Sequence, residues 1–181
     1  MNKILEQAKM INDEIVSWRR YFHENAETHL NLPKTTAFVM GKLREFGYEP
    51  VEICQSGVLA IAGGKKPGKT FLIRGDMDAL PIKEETALSF KSTTGNMHAC
   101  GHDFHTAMML GAAKILKENE NEINGTVKLM FQPAEETLAG AKAMVEAARA
   151  ESDRVLADAR KKCLDIVEKS REEISAEVEH I

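Results

Sequence analysis

Long apolar runs are missing from this 181-residue sequence. Nowhere does it offer the roughly 20 consecutive apolar residues that a membrane-spanning helix needs. Its opening MNKILEQAK leads into an amphipathic helix rather than the apolar core of a secretion signal, so a cytoplasmic protein is expected. Cysteine is scarce: Cys54, Cys100 and Cys163 are odd in number and widely spread, which excludes a disulfide framework and fits a reducing compartment. Positive charge is not in excess either. The 24 Lys and Arg against 28 Asp and Glu, intermingled along the chain, exclude the basic footprint of a nucleic-acid-binding surface. What remains is a globular composition, 43% hydrophobic, sufficient to bury a core.

Ile4, Ala8, Ile11, Ile15, Trp18 and Phe22 recur at helical spacing, and a second helical stretch over 35–46 stops at Gly47. The segments 48–54, 57–62 and 70–74 are short and β-leaning, divided by turn signals such as GGKKPGK at 63–69, and read as neighbouring strands. A helix is expected over about 105–117, then a buried strand in GTVKLMFQP at 125–133, closed by Pro133. The order predicts an α/β fold over 1–140, a layered sheet with flanking helices, whose chemistry sits where strands run out into loops.

Residues 141–181 lack Gly, Pro and every aromatic side chain, and are dense in Glu, Lys and Arg. They predict one long charged helix. Val145, Leu156, Val167 and Val178 are spaced by eleven, as are Ala148, Ala159, Ser170 and Ile181, and Ser152, Cys163 and Ile174. Such a repeat keeps one stripe in line at about 3.67 residues per turn. A coiled coil that self-associates, giving a homo-oligomer, or that binds a partner is the functional reading; a solvated helix lying on its own domain is the plain one.

Three strings carry chemistry. In MHACGHDFH at 97–105, Cys100 and His102 stand two apart, with His98, Asp103 and His105 nearby, a density of ligand types that a core does not collect. Loop histidines are also often merely solvated. FQPAEE at 131–136 places Glu135 and Glu136 just past a strand, where one carboxylate can bind metal while its neighbour moves protons. Alone, the pair equally suits a solvated helix start. RGDMDALP at 74–81 sets Asp76 and Asp78 on one side of an extended backbone, as orienting groups for metal ligands or as a turn closed by Pro81.

Together these strings, with MHACGHDFH continuing as TAMMLGAAKIL and with WRRYFHENAE at 18–27, resemble the M20 family of metallopeptidases and amidohydrolases over roughly residues 1–147. The likeness is to the branch of hippurate hydrolases, N-acyl-amino-acid deacylases, N-acetyldiaminopimelate deacetylases and auxin-conjugate hydrolases. The resemblance implies Cys100, His102 and Glu136 as metal ligands, Cys100 bridging two ions, Glu135 as general base and Asp78 as the residue orienting a ligand. Asp76 takes the place where other branches carry a His ligand. The implied reaction is hydrolysis of an N-acyl amino acid or small peptide by metal-activated water, with zinc, manganese or cobalt as the ion.

The family pattern also implies two histidine ligands after the Glu pair and a lid domain, whereas His180 alone follows Glu136 here. One tightly held ion and impaired turnover are therefore expected. The alternative is a non-catalytic truncated or fused module that binds metal and assembles through its helix. That helix resembles, in composition and spacing, the peripheral-stalk b subunits of rotary ATP synthases. A thiol redox role for Cys100 is disfavoured, because no second cysteine lies near it to resolve a disulfide.

Overall fold

The computed structural model describes residues 3–179, with side chains described as far as residue 175. The amphipathic stretch from Ile4 to Phe22 is two helices, α1 (Lys3–Met10) and α2 (Asn12–Glu24), broken at Ile11. Asp13 and Glu14 favour a fresh helix start there, their charges facing the positive end of the α2 dipole. The break divides the labour: no α1 residue is buried, while α2 buries Trp18, Phe22 and His23. Helix α3 (Pro33–Glu45) begins with proline, whose fixed φ suits a first turn, and the Glu27 carboxylate caps it by accepting the Lys34 and Thr35 N–H at 3.1 and 2.9 Å.

Strands β1 (Val51–Cys54), β2 (Gly57–Gly63), β3 (Thr70–Asp76) and β4 (Thr126–Gln132) form one sheet in the order β1-β2-β4-β3. The first two strands are neighbours as expected, but β3 does not lie beside β2. It pairs with β4 in parallel, because the connection between them carries α4 (His102–Glu118), and a crossover of that length returns the chain in the same direction.

The sheet is covered on one face. Val58, Ala60 and Ala62 of β2 pair with Phe131, Leu129 and Val127 of β4, and this row packs on Trp18, Phe22, Val39, Leu43 and Leu110 from the helices. The intervening residues look the other way: Ile61 is 49% exposed and its partner Lys128 is exposed too. Strand β4 is thus half-buried with an alternating pattern, rather than the fully buried strand its apolar content suggests. Residues Thr70 to Arg74 of β3 are exposed throughout.

By compactness the chain divides after Met144 into two units. The second lies within α5 (Ala139–Glu179), and among the described residues no helix is long and apolar enough to cross a membrane. Val145, Leu156 and Val167 of the eleven-residue stripe are 49%, 53% and 47% exposed. Val178 has no described side chain, and Ile181 lies outside the described residues.

Candidate metal centre

Parallel pairing of β3 and β4 brings their C-terminal ends side by side, with Asp76 opposite Gln132 and the Met77 N–H donating to the Gln132 carbonyl at 2.9 Å. Asp76 and Asp78 leave the end of β3; Glu135 and Glu136 leave the end of β4. Carboxyl ends of neighbouring parallel strands are where open α/β sheets form their sites.

The Asp78 carboxylate ties the two segments together. It accepts the Glu135 N–H at 2.9 Å and the Glu136 N–H at 3.2 Å, so consecutive amides hold one side chain. Burial pushes the Asp78 carboxyl up, but these bonds and His102 outweigh it and leave its pKa lowered. The Asp78 backbone carbonyl meanwhile accepts from His102 Nδ1 at 2.8 Å. That bond fixes the ring and turns Nε2 toward the acids, 3.6 Å from Asp76, 3.7 Å from Glu135 and 3.9 Å from Glu136.

His102 is the first residue of α4, three positions earlier than the helix start expected from the sequence. Before it, Gly101 has φ +83°, a left-handed conformation that lets the chain reverse between Cys100 and His102 with no side-chain cap. Two donor groups result, each with ligand atoms within 4.8 Å of one another: Cys100, His102 and Glu136; and Asp76, His102 and His105. Since His102 Nδ1 is engaged, both groups draw on the same Nε2.

The first group fits a metal on three counts. Glu136 Oε1 is buried with no hydrogen-bond partner. The donors combine thiol, imidazole and carboxylate, the set that a borderline divalent ion such as zinc selects. Carboxylates also crowd the donors: a hydrogen bond to Glu136 above all pushes the Cys100 thiol up to about 11, with burial and three nearby carboxylates adding to it. Burial lowers the His102 pKa, yet Asp78 and Asp76 raise it to about 9. Such a field attracts cations.

The second group is braced differently. Asp76 accepts from His105 Nδ1 at 2.6 Å and pairs with Arg74 at 2.8 Å, so both its oxygens are engaged. His98 is buried, neither ring nitrogen has a partner, and burial brings its pKa down to about 4; it belongs to neither group.

Residues 133–138 make the turn that carries Glu135 and Glu136. Ala134 at φ +49° and Leu138 at φ +59° occupy left-handed conformations that cost L-residues energy. The Gly140 N–H donates to the Ala134 carbonyl at 3.2 Å, and a Cβ at Gly140 would overlap the Pro133 carbonyl oxygen.

Residues 72–178 match the family model described as Peptidase family M20/M25/M40. Thermostable carboxypeptidase 2 of Saccharolobus solfataricus is 45% identical over 81% of this chain and 39% of its own length. The N-acyl-L-amino acid amidohydrolase of Geobacillus stearothermophilus is 43% identical, over 78% of this chain and 40% of its own. Among solved structures, a Bacillus subtilis dinuclear metal binding peptidase from the M20 family superposes with a TM-score of 0.74 at 41% identity, covering 77% of this chain and 40% of that one. The chain thus spans about 40% of the length of these two relatives.

Proposed function

This chain belongs to peptidase family M20/M25/M40, and from that premise we propose that it carries the metal site of an amidohydrolase acting on N-acyl amino acids or small peptides. The observation that supports this best is the convergence of Cys100, His102 and Glu136 within 4.8 Å, with Glu135 beside them. On this reading Cys100, His102 and Glu136 hold a divalent ion, zinc, manganese or cobalt. Because both donor groups use the same His102 nitrogen, a single tightly held ion is the expected content.

When bound, the ion supplies Lewis acidity: it makes water acidic near neutral pH and draws charge from a carbonyl oxygen. The protein's own part is proton management. Glu135, its side chain 34% exposed and bonded through its backbone to Asp78, takes the proton from water as oxygen adds to the amide carbon. As the C–N bond breaks, Glu135 returns that proton to the departing nitrogen. Asp78 orients His102 and the Glu pair without touching substrate. The test is release of free amino acid from N-acetyl and N-benzoyl amino acids by metal-replete protein. Metal binding with no release at any enzyme concentration would instead leave a non-catalytic metal-binding and assembly module.

We read residues 1–140 as the catalytic portion and 141–181 as a separate helical element. A second reading, self-association through α5, is favoured by the exposed Val145, Leu156 and Val167 at eleven-residue spacing. Sedimentation velocity is expected to show a dimer that dissociates in the Leu156→Glu variant. A monomer at every concentration would remove it.

A further inference from the structure

The loop that carries Cys100 has almost no regular structure of its own. Between β3 and α4, over residues 77–101, the β pairing among described residues is limited to isolated bridges at Ala79 and between Leu80 and Met97, with single backbone hydrogen bonds from Met77 to Gln132 and from Thr93 to Glu24. Connections this long usually serve function, and something must hold them. Here the holding groups come from α2 and from the loop itself.

His23 of α2 lies between two carboxylates. Its Nδ1 is 2.8 Å from Asp103 Oδ2, and its Nε2 is 3.0 Å from Glu84 Oε1. Arg19 Nη2 approaches the same Nδ1 at 3.3 Å. Arg19 Nε joins Asp103 Oδ2 at 2.7 Å as an ion pair rather than an aligned hydrogen bond. Glu84 then gathers the loop, accepting the Ser92 N–H at 2.6 Å on Oε2 and the Thr86 hydroxyl on Oε1. Burial pushes the Glu84 carboxyl up, but these bonds and His23 hold it at about 2, fully ionised at neutral pH.

Except at Arg19, whose side chain is 18% exposed, the network is closed off from water. His23, Glu84 and Asp103 are 3%, 4% and 0% exposed. The Arg19 guanidinium sits 4.3 Å from the Phe104 ring centroid and 5.2 Å from that of Phe90. Buried ion chains are poor sources of stability, since desolvation offsets their attraction and apolar residues of similar volume often serve as well. What they supply instead is direction. Asp103 directly follows His102 in the first turn of α4, whose other side is pinned by the His102 bond to Asp78.

We infer that Arg19, His23, Glu84 and Asp103 are positioning residues for the metal centre, a largely buried polar network that sets where Cys100 and His102 stand relative to Glu136. The inference rests on the metal reading above, and none of these four residues belongs to either donor group. Removing a link should therefore loosen metal binding more than it loosens the fold.

Co²⁺ titration with chelator competition tests this on the full chain, reading the dissociation constant and the visible ligand-field spectrum, with Tm measured in parallel. His23→Gln keeps at most one of the two bonds; Glu84→Gln is a milder break farther from the ligands, useful if the first variant folds poorly. Val39→Ala, a cavity at a buried apolar residue of α3 outside the polar network, is the control for lost stability. Both network variants are expected to bind Co²⁺ on the order of 10-fold or more weakly, with an altered spectrum, while Val39→Ala, at an equal or larger drop in Tm, binds as wild type. Network variants that bind like the control would overturn the inference and leave the metal reading standing. Wild type that takes up no Co²⁺ would overturn both.

Discussion

Replacing Glu135 with glutamine is expected to lower amino-acid release from an N-acyl amino acid by about 10²- to 10⁴-fold, the range that a positioned general base contributes, with bound metal unchanged. The isosteric amide keeps the backbone bond to Asp78, because that bond uses the Glu135 N–H. It also keeps the side chain's place 3.7 Å from His102 Nε2. What is lost is the capacity to take and return a proton, together with one of the negative charges around the site. Glu136→Gln should behave differently, weakening metal binding along with turnover, since its buried Oε1, without a hydrogen-bond partner, is offered as a ligand. Equal loss of turnover and metal in both variants would show that the two carboxylates share one role.

The second large effect is predicted at a residue with no chemistry. Gly140→Ala should destabilise the first unit by about 2 kcal/mol or more, because overpacking against rigid backbone forces the chain to shift. The added methyl overlaps the Pro133 carbonyl oxygen and sits 2.7 Å from its carbon, and neither can yield as a flexible side chain would. The displaced turn is the one that carries Glu135 and Glu136, already strained at Ala134 and Leu138. Metal affinity should fall with stability, in contrast to Val39→Ala. Chemical denaturation with parallel metal titration measures both; wild-type stability in Gly140→Ala would mean that the turn is looser than its contacts indicate.

How much of this was legible in the sequence follows from the range of each interaction. Cys100 and His102 stand two apart and Glu135 and Glu136 are adjacent, so their donor types are visible in short strings, and the strand ends that deliver them carry clear turn signals. The position of β3 beside β4 was not visible, since local pattern marks a strand and not its partner. The start of α4 was placed late because Gly101 replaces the Ser, Thr, Asp or Asn that usually announces a helix, and opens it through a positive φ. The Ile11 break was hidden because apolar spacing continues across it. Least legible was the His23 network. Its bonds join residues 80 and 61 positions apart, and no periodicity encodes such pairs. In WRRYFHENAE the spacing of Trp18 and Phe22 marks a helix, but only the packing of α2 against the loop gives Arg19 and His23 their physical use.

The central claim, that this chain assembles a metal centre from Cys100, His102 and Glu136, is tested most directly by metal content per chain. Elemental analysis of purified wild type, Cys100→Ser and His102→Ala after loading and removal of free ion is predicted to give about one divalent ion per wild-type chain, from three protein donors and water, and far less than one in either variant. Metal content that neither substitution changes, or wild type that retains none, would contradict it.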